Sequence, residues 1–158
     1  IHDPLTGLYN RMAYEKLALP LFQKCMGESR SVGILFIDAD HLKYINDNFG
    51  HDMGNLAISN IASVIQRHCP LNAIAMRYGG DEFVCVIPGT DQQQLVLLEQ
   101  QITDSLSGLS ENNLFDFPIE ASIGFVIADN PELSLNDYIN FADEKMYAAK
   151  KARRAARK

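Results

Sequence analysis

Ala73 to Ile87 reads AIAMRYGGDEFVCVI. Two runs rich in strand formers, Ala73 to Tyr78 and Glu82 to Ile87, flank Gly79-Gly80. That arrangement predicts a β-hairpin with the glycines at its tip. Upstream, Ser31 to Asp38 (SVGILFID) is almost continuously apolar and ends in an acid, which predicts a buried central strand. Between these pieces, Asp40 to Asn48 reads as a helix that Gly50 breaks. Gly54 to His68 has apolar residues at Leu56, Ala57, Ile61, Val64 and Ile65, at helical spacing, and Pro70 closes it. Downstream, Gln92 to Leu106 is helical through Leu95, Leu98, Ile102 and Leu106. Asn112 to Pro118 reads as a loop, Ile119 to Ala128 as a strand, and Ser134 to about Arg154 as a last helix approached through Pro131. A first helix is expected from Arg11 to about Met26, with Asn10 as N-cap and Pro20 kinking or splitting it. Without that first helix the order is βαββαβ, an α+β, ferredoxin-like core. In this arrangement helices are expected on one face of an antiparallel sheet, leaving the other face and the strand ends for a site.

The chain has 158 residues, 47% apolar and 22% charged, which suits one domain over 1–158. The formal net charge of −6 argues against a nucleic-acid-binding surface. It does not exclude a nucleotide, because metal ions can carry the compensating charge. No apolar run approaches the ~20 residues of a membrane span. Cys25, Cys69 and Cys85 form no CxxC pair and read as reduced thiols of a cytoplasmic protein.

Asp38 and Asp40 close the first predicted strand, and Asp81 and Glu82 sit at the hairpin tip. If the first strand and the hairpin are neighbours, these four acids converge. Carboxylates that close repel one another unless a cation lies between them, and oxygen-only ligands select a hard ion such as Mg²⁺ or Mn²⁺. The alternative is solvated turn residues, which would suffice for a lone acid but not for two acidic pairs on adjacent strand ends. Gly79 and Gly80 admit two readings, a type I′ turn or a close approach of backbone N–H groups to phosphate.

Arg77 to Phe83, RYGGDEF, resembles the signature of the GGDEF family of diguanylate cyclases. Four further blocks resemble the family in the same order: DPLTGLYNR from Asp3, FIDADHLKYINDNFGHD from Phe36, Ser122-Ile123-Gly124, and FADEKMYAAK from Phe141. The resemblance implies a fold like the palm of nucleotidyl cyclases and polymerases. It implies a bacterial signalling enzyme that condenses two GTP into cyclic di-GMP and two pyrophosphates, with two Mg²⁺ or Mn²⁺ per GTP, across a transient homodimer of GGDEF protomers. It also implies that the chain is a piece of a longer signalling protein, with a sensor or receiver domain upstream. As metal ligands it implies Asp38, the carbonyl of Ala39, Asp81 and Glu82, with Asp81 and Glu82 catalytic. On the substrate side it implies Lys43, Lys150 and Arg154 near phosphates, Asn46 and Asn55 at the guanine edge, and the backbone of Gly79 and Gly80. His51 lies in the nucleotide segment, although a lone histidine there more often packs a loop than binds. For the basic stretch Lys150 to Lys158, the alternative is a helix end that complements the helix dipole, the reading that suits Arg157 and Lys158.

The sequence departs from the family pattern at three places. Pro70 and Ala73 stand where many members carry the arginine and aspartate of an Arg-x-x-Asp product-inhibition motif, so no feedback through that site is expected. Arg153 replaces the glycine before the closing arginine and can substitute for Arg154. Asn55 stands where an aspartate is common. A carboxylate accepts from both guanine N1–H and N2–H₂, whereas an amide offers one acceptor oxygen and turns an NH₂ toward a donor. One mismatched buried hydrogen bond costs roughly 1–3 kcal/mol. GTP preference over ATP is therefore expected to be weaker than in Asn55→Asp. Turnover of both nucleotides by both proteins checks this, and equally strict GTP preference in the two would refute it.

Overall fold

The computed structural model describes residues 1–111 and 115–157. The expected loop at Asn112 to Pro118 and the basic tail at Lys158 therefore lie partly or wholly outside the described residues. The elements are β1 (Val32–Ala39), α2 (Leu42–Phe49), α3 (His51–His68), β2 (Ile74–Arg77), β3 (Glu82–Pro88), α4 (Gln92–Glu111), β4 (Ala121–Ala128) and α5 (Leu135–Ala156), preceded by α1 (Leu19–Gly27). The four strands form one antiparallel sheet in the order β2-β3-β1-β4. β1 lies between β3 and β4, as its unbroken apolar run requires.

The first helix is split, and Pro20 marks where. Tyr14–Ala18 is a π-helical turn in which Leu19 N–H reaches back to the carbonyl of Tyr14. Pro20, which has no N–H to give, then sits in the first turn of α1. Asn10 caps a tight turn rather than the helix, its Oδ1 accepting from Met12 N–H at 3.0 Å. α3 begins at His51, ahead of the predicted Gly54, and Gly54 is a buried interior residue of the helix. Leu56, expected inside, is exposed.

The sheet is covered on both faces, not on one. Leu35, Ile37, Phe83 and Cys85 pack with α3 and α4. Ile34, Phe36, Val84 and Val86 pack on the other face with Phe22 of α1 and with Tyr138, Ile139, Ala142 and Met146 of α5. The cause lies in β1, where neighbouring residues point to opposite faces and nearly all are apolar, so each face needs a layer of helices. Only the strand ends are left for a site.

α5 starts at a capping box, with Ser134 Oγ accepting from Asp137 N–H and Asp137 Oδ2 accepting from Ser134 N–H. It then lies so near β4 that a Cβ on Gly124 would come within 2.2 Å of the carbonyl oxygen of Ala142 and of the backbone nitrogen of Met146. Neither neighbour is a flexible side chain. Gly124→Ala is expected to lower stability by about 2–3 kcal/mol, the cost of an overpacked contact that must push a helix away. Urea unfolding measures it, and a loss below about 0.5 kcal/mol would show that the helix yields freely.

Candidate active site at the strand ends

Register brings the acids together. On β1, Asp38 pairs with Glu82 of β3 on one side and with Ser122 of β4 on the other. Ala39 N–H donates to the Asp81 carbonyl at 2.8 Å. Asp38 shares the side-chain parity of Ile34 and Phe36, and Glu82 that of Val84 and Val86, so both carboxylates project on the α5 face. The last turns of α5 lie over them.

The hairpin tip is wider than a two-residue turn. Neither Gly79 nor Gly80 takes the left-handed φ that a type I′ turn demands. Instead Tyr78 and Gly79 N–H both donate to the Glu82 carbonyl, at 2.7 and 3.1 Å. Arg77 clasps the Gly80 carbonyl through Nε and Nη2, at 3.2 and 2.7 Å. Arg77 also pairs with Asp3 at 3.2 Å, tying the N-terminal loop to the tip. The Glu82 carboxylate leans over Gly79, where a Cβ would lie 2.5 Å from Oε1. The glycine leaves room for that carboxylate, and its φ is not left-handed.

The two acids of β1 have different surroundings. Asp40 is buried. It accepts from Ser122 Oγ at 2.8 and 3.1 Å through its two oxygens and from Arg153 Nη1, which also donates to the Ala121 carbonyl at 3.1 Å. Asp38 accepts from Lys150 Nζ at 2.5 Å through Oδ2, while its Oδ1 is buried with no hydrogen-bond partner. Burial raises the Asp38 carboxyl from its ordinary 3.8 to about 6; the Lys150 ammonium pulls it down, and Asp81 and Glu82 push it up. Glu82 is raised as well, by burial and then by Asp81 and Asp143.

Whether this suits a divalent cation is answered by Asp38. The donors are hard oxygens, and one buried carboxylate oxygen is left without a partner, which is costly unless a cation or donor meets it. The residues fit such an ion in chemistry. Among the described residues no three acidic, histidine or cysteine side chains close tightly enough to enclose one unaided. The ammonium of Lys150 stands in for positive charge at Oδ2.

The remaining expected residues form two groups. Asn46 of α2 meets α3 at Gly54, where a Cβ would fall 1.8 Å from Asn46 Oδ1, so a glycine admits that amide between the helices. Asn55 follows Gly54 directly and is exposed, as are Lys43 on α2 and His51 at the start of α3. Lys150 lies with the acids. Arg154 is exposed, and it is Arg153 that turns to Asp40. Arg157, read as a plain helix end, pairs with Glu120 at 2.6 Å. Ser122 and Glu120 escaped the sequence reading as site residues. The spacing of Lys150, Arg153 and Arg157, which puts three cations on one helix face, was the available signal for their partners.

The model of the family described as "Diguanylate cyclase, GGDEF domain" matches residues 1–156. Among curated proteins the chain is similar to the probable diguanylate cyclase DgcC of Escherichia coli strain K12, with 33% identity over 153 residues. That stretch is 96% of this chain and 41% of DgcC. Among solved structures it is similar to the GGDEF domain of DgcB from Caulobacter crescentus in complex with c-di-GMP, with TM-score 0.88, 28% identity, and coverage of 96% of this chain and 90% of that one. It is also similar to the diguanylate cyclase SiaD from Pseudomonas aeruginosa, solved with its activator SiaC, with TM-score 0.87, 26% identity, and coverage of 96% and 58%. With the family model spanning nearly every residue and the signature standing at a strand-end cluster of acids, the chain belongs to the GGDEF family of diguanylate cyclase domains.

Proposed function

We propose that this chain condenses two GTP molecules into cyclic di-GMP, releasing two pyrophosphates, at the interface of two protomers. The observation that carries the reading is the undercompensated Asp38 carboxylate, in register with Glu82 and beside Asp81 at the strand ends. Asp38, the Ala39 carbonyl, Asp81 and Glu82 would hold Mg²⁺ or Mn²⁺. The ions supply neutralisation of phosphate charge and a lowered pKa for the attacking hydroxyl. The chain's own groups do the rest. Asp81 accepts the proton of the 3′-hydroxyl, whose oxygen attacks the α-phosphorus of the GTP on the other protomer as the bond to pyrophosphate breaks. Lys43, Lys150 and an arginine of α5 meet the phosphates, and the Gly79-Gly80 backbone lets them approach closely. Asn46 and Asn55 face the guanine, with His51 alongside. Asn55 favours a second reading, a domain that binds nucleotide with relaxed base choice or with little turnover. Among the described residues no helix is long and apolar enough to cross a membrane, and we place the reaction in the cytoplasm.

Incubation of the chain with GTP and Mg²⁺ at high protein concentration, with the products resolved, tests the reaction. Cyclic di-GMP and pyrophosphate are expected in a one-to-two ratio, and Asp38→Asn is expected to slow their formation on the order of a hundredfold. With Pro70 and Ala73 in place of a charged motif, added cyclic di-GMP at micromolar levels should leave the rate unchanged. Nucleotide binding with no product from the native chain would overturn the cyclase reading in favour of the regulatory one.

The raised carboxyl of Asp38 also has a consequence for stability. The native group keeps its proton at pH values where the unfolded group has lost it. The native state therefore binds more protons between about pH 4 and 6, and the contribution of Asp38 to metal-free stability is lost as pH rises through that window. In EDTA, Asp38→Asn should gain stability relative to the native chain from pH 4 to pH 6. Urea midpoints across that range check the sign, and a constant difference would refute the raised value.

A further inference from the structure

Lys150 Nζ lies 2.5 Å from Asp38 Oδ2 and 3.6 Å from Asp40 Oδ1. The side chains of Lys150 and Asp38 keep only 16% and 14% of their surface in contact with solvent, so this is a sheltered ion pair and not a surface one. It is an incomplete pair, because Asp38 Oδ1 is buried and bonded to nothing. Asp40, two residues on and on the same face, is held in place by Ser122 and Arg153. One acid has a fixed partner set, and the other has a single ammonium on a flexible four-carbon stem.

We propose that the Lys150 ammonium is an exchangeable counterion of Asp38, which a divalent cation must displace, and that Asp40 is the fixed station that retains the displaced ammonium at the mouth of the site. The inference rests on the reading of Asp38 as a metal ligand. A divalent ion on Asp38 and an ammonium on the same carboxylate repel each other strongly in this half-buried setting. Asp40 Oδ1 is near enough that Lys150 can leave Asp38 without giving up an anionic partner. Asp40 itself stays in place, held by Ser122 from β4 and Arg153 from α5. Lys150 thus works against metal binding while no nucleotide is bound. Once released, it carries its charge toward the phosphates. Capture of phosphate by Lys150 is in this way tied to arrival of the ion, and Asp40 is a positioning residue for that exchange.

The test is Mn²⁺ binding to the whole chain without nucleotide, followed by electron paramagnetic resonance of the free ion at pH 8, where Asp38 is ionised. Lys150→Met is expected to bind Mn²⁺ about tenfold more tightly than the native chain, and Asp38→Asn to abolish that binding. Equal or weaker binding by Lys150→Met, with Asp38→Asn still abolishing it, overturns the exchange alone and leaves the metal reading standing. Mn²⁺ binding that Asp38→Asn does not alter overturns both. A second measurement needs no variant at Lys150. In the native chain labelled with ¹⁵N-lysine, the Lys150 Nζ resonance should shift during a Mg²⁺ titration with the midpoint found by calorimetry. A resonance that stays in place while Mg²⁺ binds refutes the displacement.

Discussion

The missing side chain of Gly124 sets the distance between α5 and the sheet, and the site is built on that distance. β4 places Gly124 opposite Phe36 of β1, one layer below the acids. With no Cβ in the way, the backbone of α5 between Ala142 and Met146 rests on the strand itself. The helix continues beyond this point at 1.5 Å per residue. Lys150 and Arg153 therefore arrive over Asp38 and Asp40, where a helix held away by a side chain would bring them too high. A contact between two backbones thus determines which charges can meet at the strand ends.

Charge then explains why two aspartates of one strand differ. Asp40 receives two donors from protein groups fixed by β4 and α5, so its cost of burial is met from within the fold. Asp38 lies beside Asp81 and Glu82, whose fields oppose its ionisation, and only one of its oxygens is met. A buried carboxylate in that condition is destabilising to the folded chain. Of the two aspartates, Asp38 is the under-satisfied one.

The sequence announced most of this fold because its apolar periodicities were consistent with one another. Leu95, Leu98, Ile102 and Leu106 are the buried positions of α4, as their spacing predicts. The hairpin and the βαββαβ order are present, and Asp38 does lie beside the signature acids. Other features were not legible in a linear reading. Coverage of both sheet faces was implicit in the unbroken apolar run of β1, but the strand does not name the helices that supply it. Gly54 read as a helix start because glycine so often marks an end, whereas its use is to admit Asn46 between α2 and α3. Ser122 stood out only as part of a strand block, since a serine at a strand end has many uses until the register puts it against Asp38 and within reach of Asp40.

The end of α5 shows how one departure from the family pattern reshapes the cation set. A glycine before the closing arginine would leave Asp40 with Ser122 and the more distant Lys150 as its donors. Arg153 instead brings a guanidinium that bridges Asp40 and the Ala121 carbonyl, joining β1, β4 and α5 at one point. Arg157, one turn further, pairs with Glu120 just ahead of β4. Both guanidinium groups are thereby engaged by protein oxygens, and Arg154, on the neighbouring stripe of the helix, stays exposed. The cations of this helix thus divide by role. Arg153 and Arg157 hold the helix to the strand ends, Lys150 pairs with the under-satisfied Asp38, and Arg154 keeps its charge open to solvent. A guanidinium with five donors in a rigid fork suits the bridging positions, and an ammonium on a flexible stem suits a single point contact with one carboxylate oxygen. The residue types at 150 and 153 are consistent with that division.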